Sequence, residues 1–320
     1  MKAMRLALLV CLVLIAPAAF GNDAYLWLQR MNQASHVLNY TGVFLYQSQG
    51  RSETSYIVHL VDASGEHERL ETLIGVPREV VRHNEEVQCF LPQERVVVND
   101  RLLPGRQLGR LVAKPAALAE FYNMRLGALA RVAGRDAQQL ALEPRDDMRY
   151  GHQLWIDLAS GLLLRAHMLN EQGGIVEQFS FSEVALGVDI DHEKLKPRVV
   201  RNNEWRVINA RGVDLRAEDF GWIFRKLPPG FRNVSLLKRP GRRGDENAVH
   251  AVFSDGLANV SVFIETAPGN VVAVAQSGPA NIGSTGIYRR VVGDQMVTVL
   301  GEVPVLALQR IAEGVERRPK

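Results

Sequence analysis

Cysteine is scarce in this chain of 320 residues, which contains only Cys11 and Cys89. If Cys11 leaves with an N-terminal leader, a disulfide within one molecule is excluded, and Cys89 is expected to be a free, partly buried thiol in a strand. Stability then has to come from apolar packing. A chain of this length can supply that packing, most readily as two domains.

The motifs of common catalytic and metal sites are also absent. There is no HExxH and no pair of histidines at metal-ligand spacing on one predicted element. There is no GxSxG either, and the nearest stretch, GSTG at 283–286, is typical of a turn. Asp146 and Asp147 lie in PRDDMRYG, which is more simply a loop between strands. We therefore expect no catalytic residues, no metal and no cofactor; an exported hydrolase that uses Cys89 is the weakest alternative.

Long apolar runs are confined to the first residues. Lys2 and Arg5 precede an apolar run, Leu6–Ile15, and a small-residue cleavage site that ends at Gly21. This order predicts a Sec-type signal peptide. A lipoprotein signal at Cys11 is a less favoured alternative, because lipid attachment requires a small residue before the cysteine. No later segment approaches the roughly 18 uncharged apolar residues of a membrane helix, so we expect a soluble, exported protein.

Neither basic nor acidic residues are in large excess. Residues 22–198 hold 19 Lys and Arg against 23 Asp and Glu, a net charge of −4, whereas residues 199–320 hold 17 against 12, a net charge of +5. This balance is too weak for a nucleic-acid binder. It suits a negatively charged partner or headgroup that meets the second half. The candidate partner contacts are Arg225, Lys226, Lys238, Arg239, Arg242 and Arg243. The last four belong to KRPGRRGDEN (238–247), for which a solvated hairpin tip is the alternative to an anion contact.

Short runs of alternating polarity dominate what is present. WIDLASGLLLRAHMLNEQGGIVEQFSFSEV (155–184) is cut by two turn signals into three strand-length runs. In each of the last two runs, alternation predicts that the apolar side chains lie on one face of a sheet. These side chains are Leu162, Leu164, Ala166 and Met168 in the middle run, and Ile175, Phe179 and Phe181 in the last run.

Helices are few by comparison. Periodicity predicts helices over 23–40 and 115–122 and a helical tail after Val305. Further strands are predicted over 41–47, 54–61, 78–83, 86–92, 95–99, most of 124–184, 248–255, 258–266, 271–277, 287–293 and 296–304. Two helices of this size cannot cover one face of a first-half sheet of eight or more strands.

The charged stretch 185–213 shows no sustained period, and we interpret its end as a linker. The predicted class is α+β, mainly antiparallel β: a half-open, barrel-like sheet with few helices, followed by a smaller β-rich domain. The expected organisation is a signal peptide over 1–21, a first domain over 22–198, a linker over 199–213 and a second domain over 214–320.

Several stretches carry a resemblance to a known family. They are TGVFLYQ (41–47), HLVDASGEHERLETLIGVPREVVRHNEEVQCFLP (59–92), EPRDDMRYGHQLWIDLASGLLLRAHMLNEQGGIVEQFSFSEV (143–184), LPPGF (227–231), SDGLANVSVFIE (254–265) and QMVTVLGEVP (295–304). In this order they resemble the RseB/MucB family of periplasmic regulators of the sigma-E-type envelope-stress response.

The resemblance implies a first domain similar to the lipoprotein carriers LolA and LolB, which binds lipid. It also implies that the protein binds the periplasmic part of an RseA- or MucA-like membrane anti-sigma factor, shields it from proteolysis and is released by lipid, in particular lipopolysaccharide. The family has no catalytic residues to transfer. Self-association is left open, a homodimer being one expectation, and a periplasmic lipid or lipoprotein carrier is the alternative function.

A curved sheet whose apolar face extends beyond its helices leaves a groove, and a large exposed apolar patch usually marks a binding site. The candidate lipid-binding residues are Phe44, Tyr46, Leu154, Ile156, Leu162, Leu164, Met168, Ile175, Phe179 and Phe181. Taken singly, each of these residues is more simply interpreted as part of the hydrophobic core of the domain.

Overall fold

The computed structural model describes residues 20–104, 109–112, 114–241, 247–267 and 277–319. Arg242 and Arg243 lie outside these residues, as do all but the last residue of the predicted strand 271–277 and nearly all of the predicted signal peptide. No helix within the described ranges is both long enough and apolar enough to cross a membrane.

The described ranges contain three α-helices and one 3-10 turn. They are α1 (Phe20–Val37), α2 (Pro115–Leu118), α3 (Val305–Glu313) and the turn His192–Leu195. The first two helices end before the predicted residues 40 and 122. The reason is the same in both cases, because Tyr40 and Tyr122 each open a strand whose backbone pairs in the sheet. Tertiary pairing overrides local helix propensity there.

Twelve strands form the first sheet. They are β1 (Tyr40–Ser48), β2 (Arg51–Asp62), β3 (Gly65–Ile74), β4 (Glu79–His83), β5 (Glu86–Leu91), β6 (Val96–Arg101), β7 (Tyr122–Val132), β8 (Arg135–Pro144), β9 (Gly151–Asp157), β10 (Leu163–Leu169), β11 (Ile175–Leu186) and β12 (Arg206–Asn209). Their order across the sheet is β12-β6-β5-β4-β3-β2-β1-β11-β10-β9-β8-β7.

The first sheet is open and almost entirely antiparallel. Its order runs from β12 at one edge to β7 at the other, and the described strands at these two edges do not pair with each other. The pairing of β12 with β6 is parallel, and the other neighbouring pairs are antiparallel. The predicted mainly antiparallel α+β class with an open sheet is confirmed.

A second β-rich domain follows. Its strands are β13 (Val213–Asp214), β14 (Trp222–Phe224), β15 (Arg232–Pro240), β16 (Asn247–Ser254), β17 (Asn259–Thr266), β18 (Gly278–Ile282), β19 (Thr285–Val292), β20 (Gln295–Gly301) and β21 (Val315–Arg317). Seven of them form a sheet of order β13-β15-β16-β17-β20-β19-β18, while β14 pairs with β21. Helix α3 contributes Ala307, Leu308 and Ile311 to the core of this domain, and each is at most 1% exposed.

The predicted linker 199–213 is not an unstructured connection. Its residues 206–209 form β12, which lies in parallel alongside β6 at the edge of the first sheet. Val213 then opens β13 of the second domain, opposite Lys238 of β15. The linker is therefore hydrogen-bonded to both domains within a few residues.

Candidate functional site

Two of the ten apolar candidates lie beneath α1. Leu154 and Ile156 of β9 belong to one buried cluster with Leu28 and Met31 of the helix. All four side chains are at most 4% exposed. Helix α1 therefore already covers this part of the sheet.

A second group of candidates is aromatic and lies where β1 meets β11. Phe44 stands opposite Phe181 and Tyr46 opposite Phe179 across this antiparallel pair. The ring centroids of Phe44 and Phe179 are 4.9 Å apart and those of Phe179 and Phe181 are 5.1 Å apart, as in favourable aromatic pairs. Phe181 also lies across Gly42, where an added Cβ would stand 2.6 Å from its ring. Glycine at position 42 lets this ring lie directly against β1.

β-Bulges interrupt the alternation that the sequence predicts for the middle and last runs. The register of β10 against β9 shifts between Leu163 and Arg165, and its register against β11 shifts between Met168 and Leu169. A bulge places one extra residue in a strand, so side chains before and after it no longer keep a strict period of two.

The bulges separate residues that alternation places together. Leu164 packs in one cluster with Phe179 and Phe181, whereas Ala166 packs against the cluster beneath α1. Ile175 is 53% exposed, although Phe179 and Phe181 are buried. The expectation that each run presents all its apolar side chains on one face is therefore wrong, and the local irregularity of the two strands is the reason.

Native side chains fill the predicted groove. Seven of the ten candidates are at most 7% exposed, namely Leu154, Ile156, Leu162, Leu164, Met168, Phe179 and Phe181. Phe44 and Tyr46 are half-buried. A lipid tail would thus have to separate packed side chains to reach most of these residues. Lipid binding by the ten candidates stays a prediction.

A cavity of about 540 Å³ lies elsewhere, between the ends of β8, β9 and β10. None of the ten candidates lines it, and its wall includes the charged side chains of Asp146, Asp147, Arg149 and Glu171. His152 also lines it, and burial lowers the pKa of this imidazole to about 4 against the opposing charge of Asp255. Charged side chains thus line part of a cavity that is separate from the ten candidates.

Tyr46 connects the aromatic cluster to the second domain. Its hydroxyl donates a hydrogen bond of 2.8 Å to Glu177, and Ser284 of the second domain donates one of 2.6 Å to the same carboxylate oxygen. Burial, followed by the charge of Glu177, raises the pKa of the Tyr46 phenol, so it remains a donor. Two hydrogen bonds to Glu177 thus link Tyr46, a residue of the candidate lipid site, to Ser284 in the turn between β18 and β19.

A buried ion pair joins the two domains at a second place. Arg149 of the first domain donates to Asp255 of the second at 2.6 Å, and both side chains are 0% exposed. Tyr122 donates to the same carboxylate at 3.0 Å, and Arg149 also donates to the Pro229 carbonyl at 2.7 Å and to Asp146. Burial and the negative charge of Asp255 raise the pKa of Tyr122 well above its usual value.

Two stretches that carry the family resemblance build this junction. LPPGF (227–231) supplies Pro229 and the positive-φ Gly230, where an added Cβ would stand 2.4 Å from the Phe121 ring of the first domain. SDGLANVSVFIE (254–265) supplies Asp255, whose other oxygen accepts the backbone N–H groups of residues 257 and 258. No local sequence pattern indicates this role of Arg149, because its ion-pair partner is 106 residues away.

Two basic candidates of the second domain are exposed and paired with acidic neighbours. Arg225 lies 2.7 Å from Glu316, and Lys226 lies 3.6 Å from Glu313. Exposed pairs of this kind contribute little to stability, typically below about 1 kcal/mol, and exchange partners easily. These two cations are open to a negatively charged partner, and that role stays a prediction.

The basic stretch that begins at Lys238 differs from the expected loop. Lys238 and Arg239 lie within β15, and only Lys238 is exposed. Arg239 is 8% exposed, lies 2.9 Å from Asp100 of the first domain and donates to the Ala210 carbonyl. The alternative of a solvated tip is wrong for Arg239, because strand alternation turns it inward toward the linker. Contact of Lys238 and Arg239 with a partner stays a prediction.

The fold is that of a two-domain, mainly antiparallel β protein whose halves share a buried ion pair. Residues 23–199 match the family model of the MucB/RseB N-terminal domain, and residues 216–316 match that of the MucB/RseB C-terminal domain. The chain belongs to the MucB/RseB family.

Relatives align over nearly the whole chain. The sigma factor AlgU regulatory protein MucB of Pseudomonas aeruginosa is 34% identical, over 98% of both chains. The sigma-E factor regulatory protein RseB of Escherichia coli K12 is 26% identical, over 90% of this chain and 89% of the relative. A crystal structure of MucB in complex with MucA(peri) covers 93% of this chain and 100% of its own, at 31% identity and a TM-score of 0.70. The Pseudomonas aeruginosa MucA/MucB complex gives a TM-score of 0.72 at the same identity and coverage.

Proposed function

We propose that this protein is a periplasmic, non-catalytic negative regulator of a sigma-E-type factor that binds the periplasmic part of a membrane anti-sigma factor. The observation that carries this proposal is the match of 93% of the chain, at 31% identity, to MucB in structures that contain MucA. The shared order of both domains supports it further, because a partner surface that involves either domain then has its counterpart here.

We infer further that binding shields the anti-sigma factor from proteolysis and that lipid, in particular lipopolysaccharide, releases it. A segment held against a folded surface is cleaved only in proportion to the population that is free. Lipid and partner weaken each other's binding by the same factor when each favours a different arrangement of the protein.

The filled aromatic cluster supports a specific route for this coupling. A lipid tail that separates Phe44 from Phe179 displaces Tyr46, which stands opposite Phe179 in the sheet. Tyr46 shares the Glu177 carboxylate with Ser284 of the second domain. Entry of lipid in the first domain therefore disturbs a contact that positions the second domain.

The magnitudes allow such a switch. An acyl chain gains about 0.8 kcal/mol per buried methylene, so twelve methylenes supply roughly 10 kcal/mol. Moving an equilibrium from 1:99 to 99:1 requires about 5.5 kcal/mol. The free energy of acyl burial that exceeds this requirement is available to separate packed aromatic rings, whose pairs contribute about 0.5–1.5 kcal/mol each beyond burial.

A binding titration tests the proposal. The periplasmic segment of a MucA- or RseA-like protein, labelled with a fluorophore, is titrated with the protein in the presence and absence of lipopolysaccharide. We expect binding without lipid and a rightward shift with lipid. Tyr46→Phe keeps the ring and removes its bond to Glu177, so it should bind the segment yet lose most of the lipid-dependent shift. Tyr150→Phe, at another half-buried tyrosine, is the matched control and should behave as the unaltered protein.

The outcomes separate the two parts of the proposal. Absence of binding to the segment at micromolar concentrations would contradict the regulatory function itself. Binding that lipid leaves unchanged would contradict only the release by lipid. A lipid effect that survives Tyr46→Phe would remove the route through Glu177.

A further inference from the structure

Three possible metal ligands from separate elements meet at one end of the first sheet. Asp62 ends β2, His67 lies in β3 just after the hairpin turn, and His192 opens the 3-10 turn that follows β11. One Asp62 carboxylate oxygen lies 3.5 Å from His67 Nε2, and the other lies 2.9 Å from His192 Nε2. The three ligand atoms all lie within 4.8 Å of one another.

These separations are close to those around a single small cation. Zinc binds histidine nitrogen at about 2.0–2.1 Å and carboxylate oxygen at about 2.0–2.2 Å, usually with tetrahedral geometry. Neighbouring ligand atoms of such a tetrahedron stand roughly 3.3–3.5 Å apart. Side-chain rotations that move the ligand atoms by roughly an ångström would therefore bring all three to bonding distance of one ion.

Surrounding contacts hold the side chains of Asp62 and His67 in place. The Ser64 backbone N–H and hydroxyl donate to the Asp62 carboxylate at 2.8 and 2.6 Å. The ring of His67 stacks on that of His83, with centroids 4.5 Å apart and planes 8° from parallel. Such support resembles the outer contacts that orient the ligands of metal sites.

The turn that carries His192 is also anchored. Ile190 and Leu195 on either side of His192 pack with Val58 and Leu60 of β2 in one buried cluster. The backbone at His192 is thereby fixed relative to the strand that ends at Asp62, although the histidine itself is exposed. The ligand set is assembled by the fold and does not depend on a chance approach of two flexible loops.

We propose that Asp62, His67 and His192 bind a divalent transition metal of the zinc type. Two imidazoles and one carboxylate favour zinc, nickel or copper over calcium and magnesium, which prefer oxygen ligands. Ser64 Oγ lies 2.8 Å from His67 Nε2, so this hydroxyl or a water molecule is placed to complete the coordination.

The site would fasten the end of the first domain. Beyond His192, the chain donates the Arg198 and Val199 backbone N–H groups to Glu79 and then enters the linker. A metal that joins His192 to the β2–β3 hairpin would therefore hold the segment from which the linker departs. Histidine spacing within single elements gives no sign of this site, because His67 and His192 belong to different elements.

Metal binding is tested on the full chain without a histidine tag. After treatment with a chelator and dialysis, the protein is titrated with zinc chloride by calorimetry, and with cobalt chloride while visible absorption is recorded. We expect one zinc ion per chain with micromolar or tighter affinity, and the absorption bands of cobalt bound to nitrogen and oxygen. His67→Ala and His192→Ala should each weaken zinc binding at least tenfold, while the exposed His36→Ala should leave it unchanged.

Thermal unfolding distinguishes a metal site from a simple ion pair. Zinc should raise the melting temperature of the unaltered protein and of His36→Ala, but not that of His192→Ala. Absence of saturable zinc binding would overturn the proposal. Equal zinc binding by His192→Ala would also overturn it. A stability loss in His192→Ala that is the same with chelator and with zinc would do so too, because the Asp62–His192 ion pair alone would then explain the loss.

Discussion

At the residue scale, three basic side chains surround the carboxylate of Glu66. Its carboxylate, 17% exposed, lies 3.0 Å from His59 Nε2, 2.5 Å from Arg82 and 2.9 Å from Arg110. Burial alone would raise the pKa of this carboxyl group, but the hydrogen bonds and positive charge of these neighbours outweigh it and hold the pKa below its usual value of 4.5. The network joins β2, β3, β4 and the segment at Arg110.

Replacing this carboxylate should destabilise the first domain. Glu66→Gln leaves the buried guanidinium of Arg82 with less negative charge around it, and we expect a loss of about 3 kcal/mol in the free energy of unfolding. Asp136→Asn is the matched control, because Asp136 and its partner Arg131 are about 70% exposed; its expected effect is below about 0.5 kcal/mol. Urea denaturation followed by circular dichroism measures both.

The same substitution has a predictable pH dependence. A carboxyl group whose pKa is lower in the folded state stabilises the protein fully above the unfolded pKa, near 4.5, and loses this contribution as the pH falls toward the folded pKa. The stability difference between the unaltered protein and Glu66→Gln should therefore be constant near pH 7 and shrink below about pH 4.5. A difference that stays constant down to pH 3 would contradict this role of Glu66.

Alternation predicts the neighbouring strands over 54–61 and 78–83, but it predicts neither β3, which carries Glu66, nor a charge network there. Its partners lie 7, 16 and 44 residues away, and their assembly depends on two strand pairings, β2 with β3 and β3 with β4, and on the segment at Arg110. Long-range charge pairing of this kind has no local signal.

At the scale of strands, the contact between Gly42 and Phe181 decides how closely β1 and β11 pack. An added Cβ at position 42 would meet the Phe181 ring at 2.6 Å and the Glu183 carbonyl oxygen at 2.7 Å. The ring has little room because it is 2% exposed, and the carbonyl belongs to the paired strand. Neither neighbour can move without disturbing the aromatic cluster.

Gly42→Ala should therefore destabilise the protein by overpacking, by about 1–3 kcal/mol. Gly151→Ala is the matched control, because Gly151 is also buried in a strand but an added Cβ there would meet its neighbours only at 3.5 Å or more. The midpoints of thermal unfolding compare the two variants. A midpoint for Gly42→Ala within one degree of that for Gly151→Ala would show that the ring is free to shift.

Many strands could be predicted from alternation, although β3 and β12 were not, and strand irregularities could not be predicted. The expected strands 41–47, 86–92 and 258–266 correspond closely to β1, β5 and β17. The bulges of β10 and β11 were missed because GLLLRAHML alternates well enough for either register. β15 was missed because its basic residues suggested a loop, although Leu237 and Arg239 are both buried on it.

For the whole molecule, both polar contacts and apolar packing join the domains, since Leu103 of the first domain is buried against Leu237 and Val252 of the second. The Arg149–Asp255 pair is fully buried, Ser284 donates to Glu177, and Arg101 lies 2.8 Å from Asp214 in an exposed pair. A buried pair loses far more than an exposed one when one partner is removed, because the remaining charge is left without water or counter-charge.

Asp255→Asn should loosen the junction of the domains. It removes negative charge from the buried Arg149 and Tyr122, and we expect a loss of about 3 kcal/mol in the stability of the docked state. Small-angle scattering should then report a larger radius of gyration, and denaturation should separate into two transitions. Asp214→Asn, which breaks the exposed pair across the same junction, should leave both measurements unchanged. Equal behaviour of the two variants would mean that the buried pair does not hold the domains together.

The two-domain organisation followed from length and charge, but the junction did not. LPPGF and SDGLANVSVFIE were visible as family stretches, yet nothing local indicated that they face Arg149 and Phe121 of the other domain. Their contacts arise only when both domains are folded and placed against each other.

Strand β12 has one more consequence, for how the protein behaves among other copies of itself. Its four exposed residues cover the backbone of β6, which would otherwise be a sheet edge with unpaired hydrogen-bonding groups. The chain runs from β12 into the second domain at Val213, so a large displacement of that domain would separate β12 from β6. The linker between the domains therefore also protects against aggregation. A protein whose second domain is permanently displaced would be the form most prone to aggregate.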